Sequence, residues 1–116
     1  MPFIDWAHVP EEQVTDGIMR QMVIGEKMMF VRWHFKAGVH VPAHHHPNEQ
    51  ISYMLRGVMD LRIAGERRRL GPGQVSLIPG KVEHEAWFPE ETVVVDIFSP
   101  PRQDFLTGQD DYLRRG

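Results

Sequence analysis

The chain is built from short runs of apolar residues. The stretch "MVIGEKMMFVRWHF", Met22 to Phe35, holds two of them, broken at Gly25-Glu26. Its second half alternates, with Val31, Trp33 and Phe35 on one face. A period of two marks a strand with one side in a core. "QISYMLRG" and "VMDLRIAG" follow, each closed by glycine, and then come "QVSLIPG", "EHEAWF" and "TVVVDIFS". Gly57, Gly65, Gly71 to Gly73, Pro79-Gly80 and Pro89 punctuate the runs. Strands so closely spaced predict an all-β sandwich or barrel. No long helical period precedes Arg102. The tail "PRQDFLTGQDDYLRRG" allows one or two helical turns, interrupted by Gly108.

Phase along two of the strands carries more information. Gln50, Ser52 and Met54 fall on one face, and Ile51, Tyr53 and Leu55 on the other. In "VVVDIF", Val94, Asp96 and Phe98 share a face, opposite Val93, Val95 and Ile97. Apolar groups on both faces predict cover on both sides, by a second sheet and by a second subunit. An aspartate in such a strand is costly to bury unless it is paired, solvated by a pocket or at work.

Composition narrows the partners. A length of 116 residues fits one domain spanning 1–116, with its core over about 20–100 and a short tail. A chain of this size buries a thin core, so a homodimer is expected. The net charge of −3 speaks against nucleic acid. The basic run "ERRRL", Glu66 to Leu70, reads as a solvated strand or turn. The absence of cysteine removes disulfides, thiolate metal sites and a thiol nucleophile. The start "MPFIDWAHVPEE" lacks the pattern of a secretory signal, and no apolar stretch is long enough to span a bilayer. A cytoplasmic protein is the expectation.

The candidate chemistry lies in "GVHVPAHHHPNEQISYMLRG", Gly38 to Gly57. His44 and His46 are two apart, and Gln50 lies four further on. In an extended segment all three point one way, while His45 points the other. His84, opening "EHEAWF", can add a fourth group from another strand. Three imidazoles and an amide oxygen suit one borderline divalent ion, Ni, Fe, Zn or Mn, with positions left open for a ligand. "HHH" taken alone fits a polar loop as well. Pro42 and Pro47, which stiffen the segment, and a second punctuated His at a distance favour the site.

The two elements together resemble the cupin family. Its first motif, G-x5-H-x-H-x3-E-x6-G, aligns with Gly38, His44, His46, Gln50 and Gly57, with Gln50 in place of the acid. Its second, G-x5-P-x-G-x2-H-x3-N, aligns with Gly73, Pro79 and His84. Lys81 stands where the second glycine is expected, and Phe88 replaces the Asn. The resemblance implies a double-stranded β-helix, a jelly-roll-like barrel, with a metal ion in its mouth and commonly a dimer.

A narrower resemblance, carried by "HHHPNEQISYMLRG" and "VVVDIFSPPRQDFL", is to the pectin-degradation cupins. It implies action on a small sugar acid, a 4,5-unsaturated monouronate, turned into its linear ketone form. It also implies working roles for Asp96, Phe98 and Arg102. Read without it, Phe98 fits the core and Arg102 fits a turn. A cupin that binds a sugar acid without reacting and a metal-dependent cupin dioxygenase are the competing readings.

Overall fold

The computed structural model describes residues 2–115. After a single turn of 3-10 helix at Trp6–His8, ten strands follow: β1 (Glu12–Thr15), β2 (Ile18–Ile24), β3 (Met29–Phe35), β4 (Val39–His44), β5 (Glu49–Arg56), β6 (Met59–Ile63), β7 (Glu66–Leu70), β8 (Val75–Ile78), β9 (His84–Phe88) and β10 (Thr92–Ser99). Two short helices, α1 (Gln103–Thr107) and α2 (Tyr112–Arg115), close the chain, with Gly108 in the left-handed conformation ending α1. All strand pairings are antiparallel. They form a six-stranded sheet in the order β1-β2-β3-β10-β5-β8 and a four-stranded sheet in the order β4-β9-β6-β7. No helix among the described residues is long and apolar enough to cross a membrane.

The inward faces of the two sheets make the core. Val31, Trp33 and Phe35 alternate inward from β3, as their spacing predicts, and meet Met54, Val94, Phe98, Leu61 and Phe88. Phe35 stacks on Phe88 of the opposite sheet at 3.9 Å between ring centroids. Gly57 turns β5 into β6 with φ +91°, and a Cβ there would meet the Glu91 carbonyl at 2.4 Å. Only glycine passes at that point.

The expected second sheet lies over one face of these strands. Within one chain the second sheet covers only the inner face. The other phase of β5 remains in solvent, with Tyr53 46% and Leu55 43% exposed. Phe30, Val75 and Leu77 extend this apolar surface across neighbouring strands. The basic run forms the exposed strand β7, where Arg69 and Arg67 pair with Asp60.

Candidate metal centre

His44, His46, Gln50 and His84 come together at one end of the barrel, but not by the single extended run their spacing suggests. The chain is extended only to His44. It then turns through 45–48 and re-enters the other sheet as β5. His44 and Gln50 therefore face each other from different sheets.

A bulge aims His44. Val41 pairs with Ala86 of β9 and His44 pairs with His84, so three steps on β4 answer two on β9. Pro42, which has no N–H to give the ladder, sits in that irregular step. Strict alternation from buried Val41 would send His44 outward. The extra residue reverses the phase and sets His44 opposite His84, with ring centroids 4.2 Å apart.

The turn that follows is fixed by backbone contacts. Lys81 N–H donates to the His46 carbonyl at 2.7 Å, and a Cβ at Gly80 would meet the Pro47 carbonyl at 2.4 Å. Lys81, at the motif's glycine position, keeps a glycine-like φ of +69°. Asn48 donates to the Pro100 carbonyl, tying the histidine loop to the end of β10.

The ligand atoms of His44, His46 and His84 lie within 4.8 Å of one another. Each ring is held from behind by a backbone carbonyl two residues away. The Nδ1 atoms reach the carbonyls of Pro42 at 2.8 Å, Asn48 at 3.1 Å and Val82 at 2.9 Å. Donation from Nδ1 leaves each Nε2 as a bare lone pair. Burial presses His44 down to about 3, with the neighbouring His84 adding to the effect, and His46 down to about 4. Burial lowers His84 as well.

These neutral rings fit a metal ion. His84 Nε2 is buried without a hydrogen-bond partner. His46 Nε2 lies 3.1 Å from Gln50 Oε1. With one proton on a neutral ring and acceptors at both nitrogens, His46 cannot satisfy Asn48 and Gln50 together. A cation between Nε2 and Oε1 resolves that conflict. Gln50 is oriented for it, since its amide nitrogen donates to Ser52 Oγ at 3.0 Å. Exposed His45 stays outside the cluster.

Asp96, Phe98 and Arg102 line a cavity together with His44, Gln50 and His84. Asp96 lies opposite Ser52 on β5, and Phe98 opposite Gln50. Burial raises the Asp96 carboxyl to about 6, while the nearby Ser52 hydroxyl and the Arg102 charge pull the other way. Its Oδ1 has no hydrogen-bond partner. Phe98 meets His46 edge-on at 5.7 Å. Arg102 is buried, not solvated, with its guanidinium 5.0 Å from the Phe98 ring centre and 4.1 Å from that of Phe105. Its two-pronged edge is not free, because Nε and Nη2 donate to Asp104 at 2.8 and 2.5 Å.

Sequence reasoning missed Tyr112. It stacks on His44 at 4.2 Å and accepts from Arg102 Nη2 at 2.7 Å through its hydroxyl. A short tail of one or two helical turns carries no spacing signal for a contact so distant along the chain.

The fold and the histidine arrangement define the class. Residues 31–98 match the cupin domain family, and the chain belongs to it. Among its relatives, the pectin degradation protein KdgF of Dickeya dadantii is 36% identical over 107 residues, which cover 90% of this chain and 96% of that protein. The crystal structure of an RmlC-like cupin from Shewanella frigidimarina superposes with a TM-score of 0.85 at 30% identity, covering 89% of this chain and 94% of that one. KdgF from Halomonas sp. superposes with a TM-score of 0.81 at 33% identity, covering 89% and 96%.

Proposed function

We propose that this chain is a metal-dependent enzyme of pectin or alginate breakdown that converts a 4,5-unsaturated monouronate to its linear ketone form. One observation carries the reading: two of the three clustered neutral histidines, His44 and His84, line one cavity with Gln50, the Asp96 carboxyl group and the Arg102 guanidinium, in a chain similar to KdgF. His44, His46, Gln50 and His84 hold one divalent ion. When bound, that ion supplies a Lewis acid for a substrate oxygen. Arg102 takes the substrate carboxylate. Phe98 packs on the sugar ring and excludes water. Asp96 moves the proton. Ring opening leaves the former ring oxygen on an enol, which then gains a proton at carbon and loses one at oxygen. The reaction is an isomerisation and needs no oxidant or second substrate.

The test is incubation of the metal-loaded protein with unsaturated galacturonate, following the ultraviolet absorbance of its double bond under air and under nitrogen. The absorbance is expected to fall at the same rate in both. A signal that never falls would overturn the enzyme reading, and a fall only in air would replace it with an oxygenase.

The apolar outer face of the six-stranded sheet supports a second proposal, that two copies pair across Phe30, Tyr53 and Leu77. Light scattering is expected to report a dimer at micromolar concentration, and Tyr53→Glu with Leu77→Glu to give monomers. A monomeric parent protein would contradict it.

A further inference from the structure

Arg102 is the cation that lines the cavity, yet it already holds a carboxylate. Asp104 fills its Nε–Nη2 edge, and the Tyr112 hydroxyl takes the other hydrogen of Nη2. The Tyr112 ring also covers His44. Each edge through which the guanidinium could grip a carboxylate with two prongs is thus already engaged by the C-terminal segment, one by Tyr112 from the cavity wall and the other by Asp104, which lies outside that wall.

The space agrees with the contacts. The cavity holds about 50 Å³. That is room for a few waters at roughly 10–15 Å³ each, whereas ligand pockets run to roughly 300–1,000 Å³. A six-carbon acid cannot fit unless something moves. The segment as a whole is firmly tied. Phe105 packs against Trp33 and Phe98, and buried Asp110 accepts from Arg20 at 2.7 Å and from Arg114 at 2.6 Å. Asp104 and Tyr112 lie outside those anchors, and the Asp104 side chain is 27% exposed, with solvent beside it to swing into.

We propose that Asp104 and Tyr112 form a gate on Arg102, closed in the arrangement described, and that a small carboxylic acid enters by exchanging its carboxylate for that of Asp104. This rests on the reading of Arg102 as the carboxylate receptor. Exchange never strands the buried guanidinium, whose exposure to an apolar wall without a counter-charge is costly. It also selects. A neutral sugar has nothing to replace the carboxylate of Asp104, so Asp104 makes the site one for acids.

The experiment is calorimetric titration of the zinc-loaded protein with acetate, D-galacturonate and D-galactose, in the parent chain and in Asp104→Asn and Asp104→Glu. Asp104→Asn removes the competing charge and is expected to tighten both acids by about tenfold while galactose gains nothing. Asp104→Glu keeps the charge and the parent affinities. Unchanged or weaker acid binding in Asp104→Asn overturns the gate, as does an equal gain for galactose. A gain for acetate without one for galacturonate keeps the gate and sinks the uronate reading. A second arm needs no substitution and covers the case in which Asp104→Asn does not fold. In the zinc-loaded parent, the Arg102 Nε–H resonance is expected to shift saturably with acetate and not with acetamide. No shift at high acetate overturns the proposal.

Discussion

His40 and His44 lie on the same strand, and their surroundings are opposite in kind. His40 faces outward, stacked on Trp87 at 5.4 Å, with Nε2 2.5 Å from the Glu85 carboxylate. His44 lies past the bulge and faces inward. A backbone carbonyl holds its Nδ1, and burial with the neighbouring His84 keeps it neutral. An imidazole whose Nε2 meets a carboxylate has that nitrogen taken up by a hydrogen bond. One backed by a carbonyl in a desolvated cluster offers a lone pair to a metal. Residue type is the same, and the environment decides the chemistry.

The largest effect should come from breaking the inward group. His46→Ala with His84→Ala is expected to take bound metal from one per chain to none by elemental analysis, and activity to background. His40→Ala should leave metal content unchanged. If the double variant keeps its metal, the contrast between the two histidine environments is wrong.

The next prediction spares the metal and removes the acid beside it. Asp96→Asn keeps the shape but cannot cycle a proton. Turnover should fall by roughly 10²–10⁴ with metal and fold intact. Turnover of a uronate at the parent rate would exclude Asp96 from the proton step.

Stability sharpens the same contrast between buried and exposed charge. Asp110 is fully buried between Arg20 and Arg114. Asp110→Asn should cost about 3 kcal/mol, near the low end for a broken buried pair, because Glu12 still holds another edge of Arg20. Burial alone would raise the Asp110 carboxyl, but the hydrogen bonds and charges of Arg114 and Arg20 outweigh it and leave it below its ordinary value. A group lowered in the folded state stabilises above its unfolded pKa of about 3.9 and loses that contribution as pH falls through the folded value. Urea titrations of parent and variant should therefore differ at pH near 6 and converge in strong acid. A gap independent of pH would contradict the ionic account.

The smallest effect belongs to the exposed member. His40→Ala breaks a pair whose histidine side chain is 35% exposed. It should change stability by under about 1 kcal/mol. A larger loss would mean that the outward histidine supports the fold through Trp87.

Much of this was legible from residues alone. Val31, Trp33 and Phe35 announce a strand by their alternation, because a sheet side chain must face either core or solvent. Gly57 and Gly108 mark chain reversals, since a left-handed backbone excludes most side chains. The three histidines and Gln50 mark a candidate set of donor atoms through residue type and motif spacing. Three short strands gave weaker signals. β1 is only four residues long, the "VHVPAH" of β4 is broken by proline, and β7 is almost all charge.

What the sequence by itself determined is the local part: the strand period, the turns and the kinds of donor atom available. Each depends on a residue and its near neighbours. What only the tertiary structure decided is which way and against what. The bulge at Pro42 and Ala43 turns His44 inward, yet its register exists only against β9. The Ile51, Tyr53 and Leu55 face has the same alternation as a buried one, and only the position of the second sheet leaves it in solvent. Asp104 and Tyr112 reach Arg102 and His44 because Phe105 and Asp110 pin the tail across the barrel mouth. Contacts between residues far apart in sequence are set by packing of the whole chain, and no local pattern encodes them.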